Sequence, residues 1–136
     1  MTPYQWLASL PQTHEVAGPR SNAMVLAWIH RWFRRVDDDS SIAWCGIAMF
    51  EAHKETKRPT PKQPYRAISW LGVGSPVPIA SAELGDVVIL DRHPGHHVGC
   101  FVRMDGDRVV LLGGNQGNAI REAQYPAINI IGVRRP

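Results

Sequence analysis

A cysteine, a histidine and an asparagine follow one another along the chain in settings that suit acyl transfer. Cys45 lies in the stretch Trp44-Cys45-Gly46-Ile47-Ala48-Met49-Phe50. A polar run from Asp37 to Ser41 precedes it, and Cys45, Ala48, Met49 and Ala52 recur at i, i+3, i+4 and i+7. That spacing predicts an amphipathic helix with the cysteine in its first turn. A helix start offers unpaired N–H groups and the positive end of the macrodipole. Both favour the nucleophilic thiolate, so the expected thiol pKa lies below the free value of about 8.5. Taken alone, the same cysteine also reads as a small buried hydrophobe.

Two glycine-flanked stretches supply the partners. Gly95-His96-His97-Val98-Gly99 begins one expected strand, and Gly113-Gly114-Asn115-Gln116-Gly117 ends the next. An Asp105-Gly106 hairpin between them would bring both stretches to one end of adjacent antiparallel strands. Cys45 as nucleophile, His97 as base and Asn115 as the group that orients the imidazole then form a Cys–His–Asn set. Gln116, His96 and Trp44 are supporting candidates. His96 is a rival for the base, and Trp44, Tyr65 and Trp70 read as packed aromatic residues, with the lining of a substrate groove as the alternative. Adjacent residues on a strand point to opposite faces, so only one histidine can serve, and His97, with Gly99 two residues on, is the expected one.

A metal reading competes for the same residues. Asp91, His93, His96, His97 and Cys100 have donor types that suit zinc, and a zinc-binding protein built on His93, His96 and His97 is the alternative. Against it, His97 and Cys100 have opposite parity on a strand, and Cys45 would have no task. Cys100 is read as a core residue and Asp86 as a partner for turn backbone. Asp37-Asp38-Asp39 lacks the alternating ligand spacing of a calcium loop. No metal and no cofactor are expected.

The elements that must position these residues are legible in outline. The 136 residues are expected to form one domain, 1–136, with 44% hydrophobic and 20% charged residues. Thr2-Pro3-Tyr4-Gln5 has the pattern of a capping box and opens a first helix that Pro11 stops. Ser21 or Asn22 caps a second, to about Arg35, and the cysteine helix runs to about Lys57. Tyr65 to Leu71 is expected as one or two helical turns. Strands are expected at 87–90, 97–103, 108–112 and 128–133. Helices first and hairpin-connected strands after predict an α+β domain with an antiparallel sheet. The unbroken apolar runs Val87–Leu90 and Val109–Leu112 predict cover on both sheet faces. No apolar run approaches the roughly 18 residues of a membrane span, and no secretory signal is seen. The net charge of +3 suits an anionic partner without choosing one.

Several of these stretches also carry a family likeness. Trp-Cys-Gly-x-Ala-x-Phe, Gly-Asp-Val-Val-Ile-Leu, His-Val-Gly-x-Phe-Val, Leu-Gly-Gly-Asn-Gln and a closing Tyr-Pro…Ile-Gly-Val-Arg-Arg-Pro resemble a phage-associated branch of the CHAP and NlpC-type cysteine peptidases. The likeness extends back to His14-Glu15-Val16-Ala17-Gly18. It implies a papain-like α+β fold and hydrolysis of an amide bond in peptidoglycan, as in endolysins, with Cys45 as nucleophile, His97 as base and Asn115 in the place of the third residue. It further implies a peptidoglycan stem peptide as partner, with no nucleic acid and no membrane, and a monomer. Synthesis would be in a bacterial cytoplasm, with action on the wall after release or delivery. A non-catalytic wall- or partner-binding module on the same fold is the other reading.

Overall fold

The computed structural model describes residues 1–10, 23–33, 43–114 and 119–136. Helix α1 spans Pro3–Ser9. The Thr2 hydroxyl accepts the Gln5 N–H at 3.1 Å, and the Gln5 side-chain oxygen accepts the Thr2 N–H at 2.9 Å. This is the reciprocal cap that the sequence predicts. Helix α2 spans Ala23–His30, shorter than the run to Arg35. After it, the Trp32 and Phe33 N–H groups both turn back to the Ile29 carbonyl. The expected caps Ser21 and Asn22, and Asp37 to Asp39, lie outside the described residues. Helix α3 spans Cys45–Glu55 and buries Cys45, Ala48, Met49 and Ala52, the face set by the spacing, together with Gly46, Ile47, Glu51 and His53. A 3-10 turn, Ala67–Gly72, follows.

The remainder is one antiparallel sheet, and the architecture is α+β. The strands are β1 (Ser75–Pro76), β2 (Val87–Asp91), β3 (His96–Asp105), β4 (Arg108–Gly113), β5 (Arg121–Pro126) and β6 (Ile130–Arg135), in the order β1-β6-β2-β3-β4-β5. The β3–β4 hairpin pairs Asp105 with Arg108, so its two-residue loop is Gly106-Asp107. A loop this short needs positive φ, which Gly106 supplies at +62°. Strands β1 and β5 are additions to the expected four. Both lie at sheet edges, and β5 reads Arg-Glu-Ala-Gln-Tyr-Pro, with no apolar alternation to reveal it.

Both faces of the sheet are covered, as the unbroken apolar runs require. Val87, Ile89, Val98, Cys100 and Leu112 pack with the helices. Val88, Leu90, Phe101, Val109, Leu111 and Val133 form a second cluster on the other side, joined by Val77, Tyr125 and Ile130. The strand registers show how this second cluster is enclosed. Tyr125 pairs with Val109, which pairs with Met104, so in a flat sheet Tyr125 would sit roughly 20 Å along β3 from His97. Yet the two rings lie with centroids 5.1 Å apart. In addition, only Ala127–Asn129 connect β5 to β6, four places away in the sheet. The sheet must therefore curl with staggered strands, in the manner of a barrel wall, with the second cluster in its concavity.

The turn before β2 is tied to the last strand. The Asp86 carboxylate accepts the Glu83 N–H at 2.8 Å and two bonds from the Arg135 guanidinium, at 2.9 and 2.8 Å. Asp86 thus serves turn backbone as expected, and also fixes the end of β6.

At the far end of α3 from Cys45, His53 is fully buried against Trp70, with ring centroids 4.9 Å apart. Its Nδ1–H donates to the Met49 carbonyl at 2.9 Å, while Nε2 is buried with no hydrogen-bond partner among the described residues. Burial, offset in part by the Met49 bond, lowers its pKa to about 4. The unfolded chain binds this proton near pH 6.5 and the folded chain only near 4, so stability is complete above 6.5 and lost as pH falls through that window. Urea unfolding at pH 4.5 should give a stability about 2–3 kcal/mol below that at pH 7 from this group alone. In His53→Leu that part of the drop should vanish; an unchanged drop would assign it to other groups.

Candidate active site

The cysteine enters the site from the helix side of the sheet. Trp44 precedes α3 with non-helical ψ, and Cys45 is its first residue. Hydrogen bonding by the backbone of Val98 and Gly46, and by that of Cys45 itself, favours the anionic form of the sulfur. The Val98 bond holds Sγ against the His97–Val98 peptide. β4 pairs with β3 only from Cys100↔Leu112 onward, so this position lies beyond the described ladder between them. The sulfur therefore reaches the edge of β3 at the end of the sheet.

This differs in one respect from the expected arrangement. Val98 and Cys100 face the helices, and the Cys100 thiol lies 3.8 Å from the Met49 sulfur. His97 has the opposite parity and faces the concavity, where it is fully buried. Cys45 and His97 thus lie on opposite faces of β3, where the expectation had them on one face. His96 is exposed at the rim.

His97 has a neighbour that the sequence did not suggest. The Tyr125 hydroxyl lies 3.3 Å from His97 Nε2, and the two rings pack at 36°. Tyr125 is itself within electrostatic reach of Cys45, and burial pushes its hydroxyl up to about 12. Arg92, just past the end of β2, acts on both groups and favours their anionic forms. Neither residue carries a local signal. Their proximity follows from the curl of the sheet and from the β2–β3 hairpin.

The electrostatics of the thiol are not those expected. Burial raises the Cys45 pKa above its ordinary value, opposed in part by the backbone hydrogen bonding and by Arg92. The helix-start contribution is present, but removing the sulfur from water outweighs it. A resting thiol is the consequence, and any attack must be coupled to removal of its proton.

Trp44 is fully buried, as is Trp70, whose indole N–H donates to the Pro64 carbonyl at 3.0 Å; both are packed core aromatics and do not line a groove. Gly114 lies against Trp44 and Ala48, where a Cβ would meet the indole ring at 2.6 Å. The chain thus reaches the first turn of α3 one residue before Asn115. Asn115 and Gln116 themselves lie outside the described residues, as does the stretch His14 to Gly18.

The histidine cluster does not converge. His93 Nε2 pairs with Asp91 at 3.2 Å, His96 is exposed, and His97 is directed to Tyr125. Among the described residues no three His, Cys, Asp or Glu side chains are grouped to hold a metal. No helix among them is long and apolar enough to cross a membrane. No family model matches the chain, and no curated protein matches it.

Proposed function

We propose that this chain is a papain-like cysteine hydrolase of the CHAP/NlpC type that cleaves an amide bond in peptidoglycan, in the manner of a phage endolysin. The observation that carries this reading is the setting of Cys45: a thiol in the first turn of a helix, with hydrogen bonding by the backbone of Val98 and Gly46 favouring its anion, and Val98 preceded in β3 by the buried His97. In the reaction, His97 removes the thiol proton as Sγ attacks the amide carbonyl. The tetrahedral oxyanion takes hydrogen bonds from backbone N–H groups at the helix start. His97 then protonates the leaving amine, and water activated by the same imidazole hydrolyses the thioester. Tyr125, against Nε2, limits the swing of the ring, a task shared with Asn115 in this reading. The test is digestion of purified peptidoglycan followed by mass spectrometry of the fragments. One new amine and one new carboxylate at a single type of amide bond is the expected result; intact walls would reject the reading.

The burial of the thiol favours the second reading, a non-catalytic wall- or partner-binding module. Alkylation separates the two. As a catalytic residue, Cys45 should react with iodoacetamide at least ten-fold faster than Cys100, whose thiol burial pushes up to about 12, and His97→Ala should slow that reaction. Peptide mapping of the native protein reads both sites. Equal inertness of the two thiols supports the binding module.

A further inference from the structure

The β2–β3 turn places a cation beside the site without giving it a protein partner. Leu90 pairs with His97 and faces the concavity, so Arg92, two residues on, continues the same side of the strand. Its N–H bonds to the Gly95 carbonyl at 3.0 Å, which anchors the residue where the turn begins. The nearest acid in sequence, Asp91, is taken by His93 at 3.2 Å. Among the described residues the Arg92 guanidinium makes no ion pair, whereas Arg31, Arg103 and Arg135 each pair with a carboxylate. An exposed guanidinium with no carboxylate partner among the described residues, on the side of the sheet that carries His97, suits an anionic group of a substrate. Its charge also favours the anionic forms of the Cys45 thiol and the Tyr125 hydroxyl.

We propose that Arg92 is a specificity-determining residue that binds a free carboxylate of the substrate next to the scissile amide, so that the site selects acidic peptides over their amidated counterparts. This rests on the hydrolase reading and names its substrate class. In a wall peptide, a glutamate linked through its side chain keeps an α-carboxylate that can be free or amidated, and the two forms differ only in the group that Arg92 would meet.

The experiment compares one such stem peptide in its free-acid and amidated forms. Wild type should show a kcat/KM at least ten-fold higher on the acid, carried mainly by KM. Arg92→Gln should lose that preference, its kcat/KM on the acid falling at least ten-fold further than on the amidated peptide. If Arg92 served only to favour the thiolate, Arg92→Gln would slow both peptides equally and reduce alkylation of Cys45; that outcome overturns the proposal. Binding to the Cys45→Ala protein, followed by calorimetry, keeps the two readings apart. If wild type cleaves neither peptide, the hydrolase reading fails. The carboxylate site then still stands if Cys45→Ala binds the acid form more tightly and Arg92→Gln removes the difference, and falls if both forms bind alike.

Discussion

Cys45→Ala and His97→Ala should each reduce hydrolysis of purified cell walls by about 10⁴-fold or more, and the double variant should be no worse than either single one. The non-additivity is the informative part. Nucleophile and base act on one proton, so removal of either leaves nothing for the other to do. His97→Ala also removes a buried ring that packs on Tyr125, so circular dichroism and a melting curve must accompany the turbidity assay. His97→Gln supplies a second variant that retains polar bulk. His96→Ala should keep most activity, because that side chain is exposed at the rim. Asn115→Ala and Tyr125→Phe should fall between, since each would only orient the imidazole. Loss of activity in His96→Ala, with His97→Ala active and folded, would displace the base by one residue and remove the site as described.

The parts of this site that the sequence reveals are those set by local signals. The apolar spacing after Cys45 defines α3, and Gly106 defines the β3–β4 hairpin that brings His97 and the Gly113-Gly114 end together. Tyr125 is of another kind. Its contact with His97 arises from stagger accumulated across the ladders of a curled sheet, and no short stretch encodes that sum. β5 itself is hidden because a polar edge strand lacks the alternation by which strands are recognised. The thiol pKa fails for a related reason. A helix start is a local property and favours thiolate, whereas desolvation depends on how α3 packs against the sheet. The same packing makes Trp44 core, the first of the two readings open to it.

Gly46 links that packing to the chemistry, and Gly46→Ala should damage both stability and activity. A Cβ at this position would collide with the carbonyl oxygen of Pro64 and crowd the Pro64 and Tyr65 carbonyl carbons, at 3.3 and 3.4 Å. These are backbone atoms and cannot swing aside. The Pro64 carbonyl is moreover held by the indole N–H of Trp70, a fully buried ring. Either the 64–65 segment or the first turn of α3 must move, at a cost of about 2–4 kcal/mol. For a chain of this length that corresponds to a fall in Tm of roughly 10 °C. If the helix start moves, the Gly46 N–H leaves the sulfur and Cys45 shifts from the edge of β3 at Val98, so activity should fall further than the folded fraction does. Gly72→Ala is the matched control, because a Cβ there meets nothing within 4 Å, and it should melt within about 2 °C of wild type. Thermal melts and wall-lysis rates measured on the same samples, below the melting range, decide the matter. A Gly46→Ala protein as stable and as active as Gly72→Ala would mean that α3 does not press on the 64–65 segment, and that the position of Cys45 is set by something other than this contact.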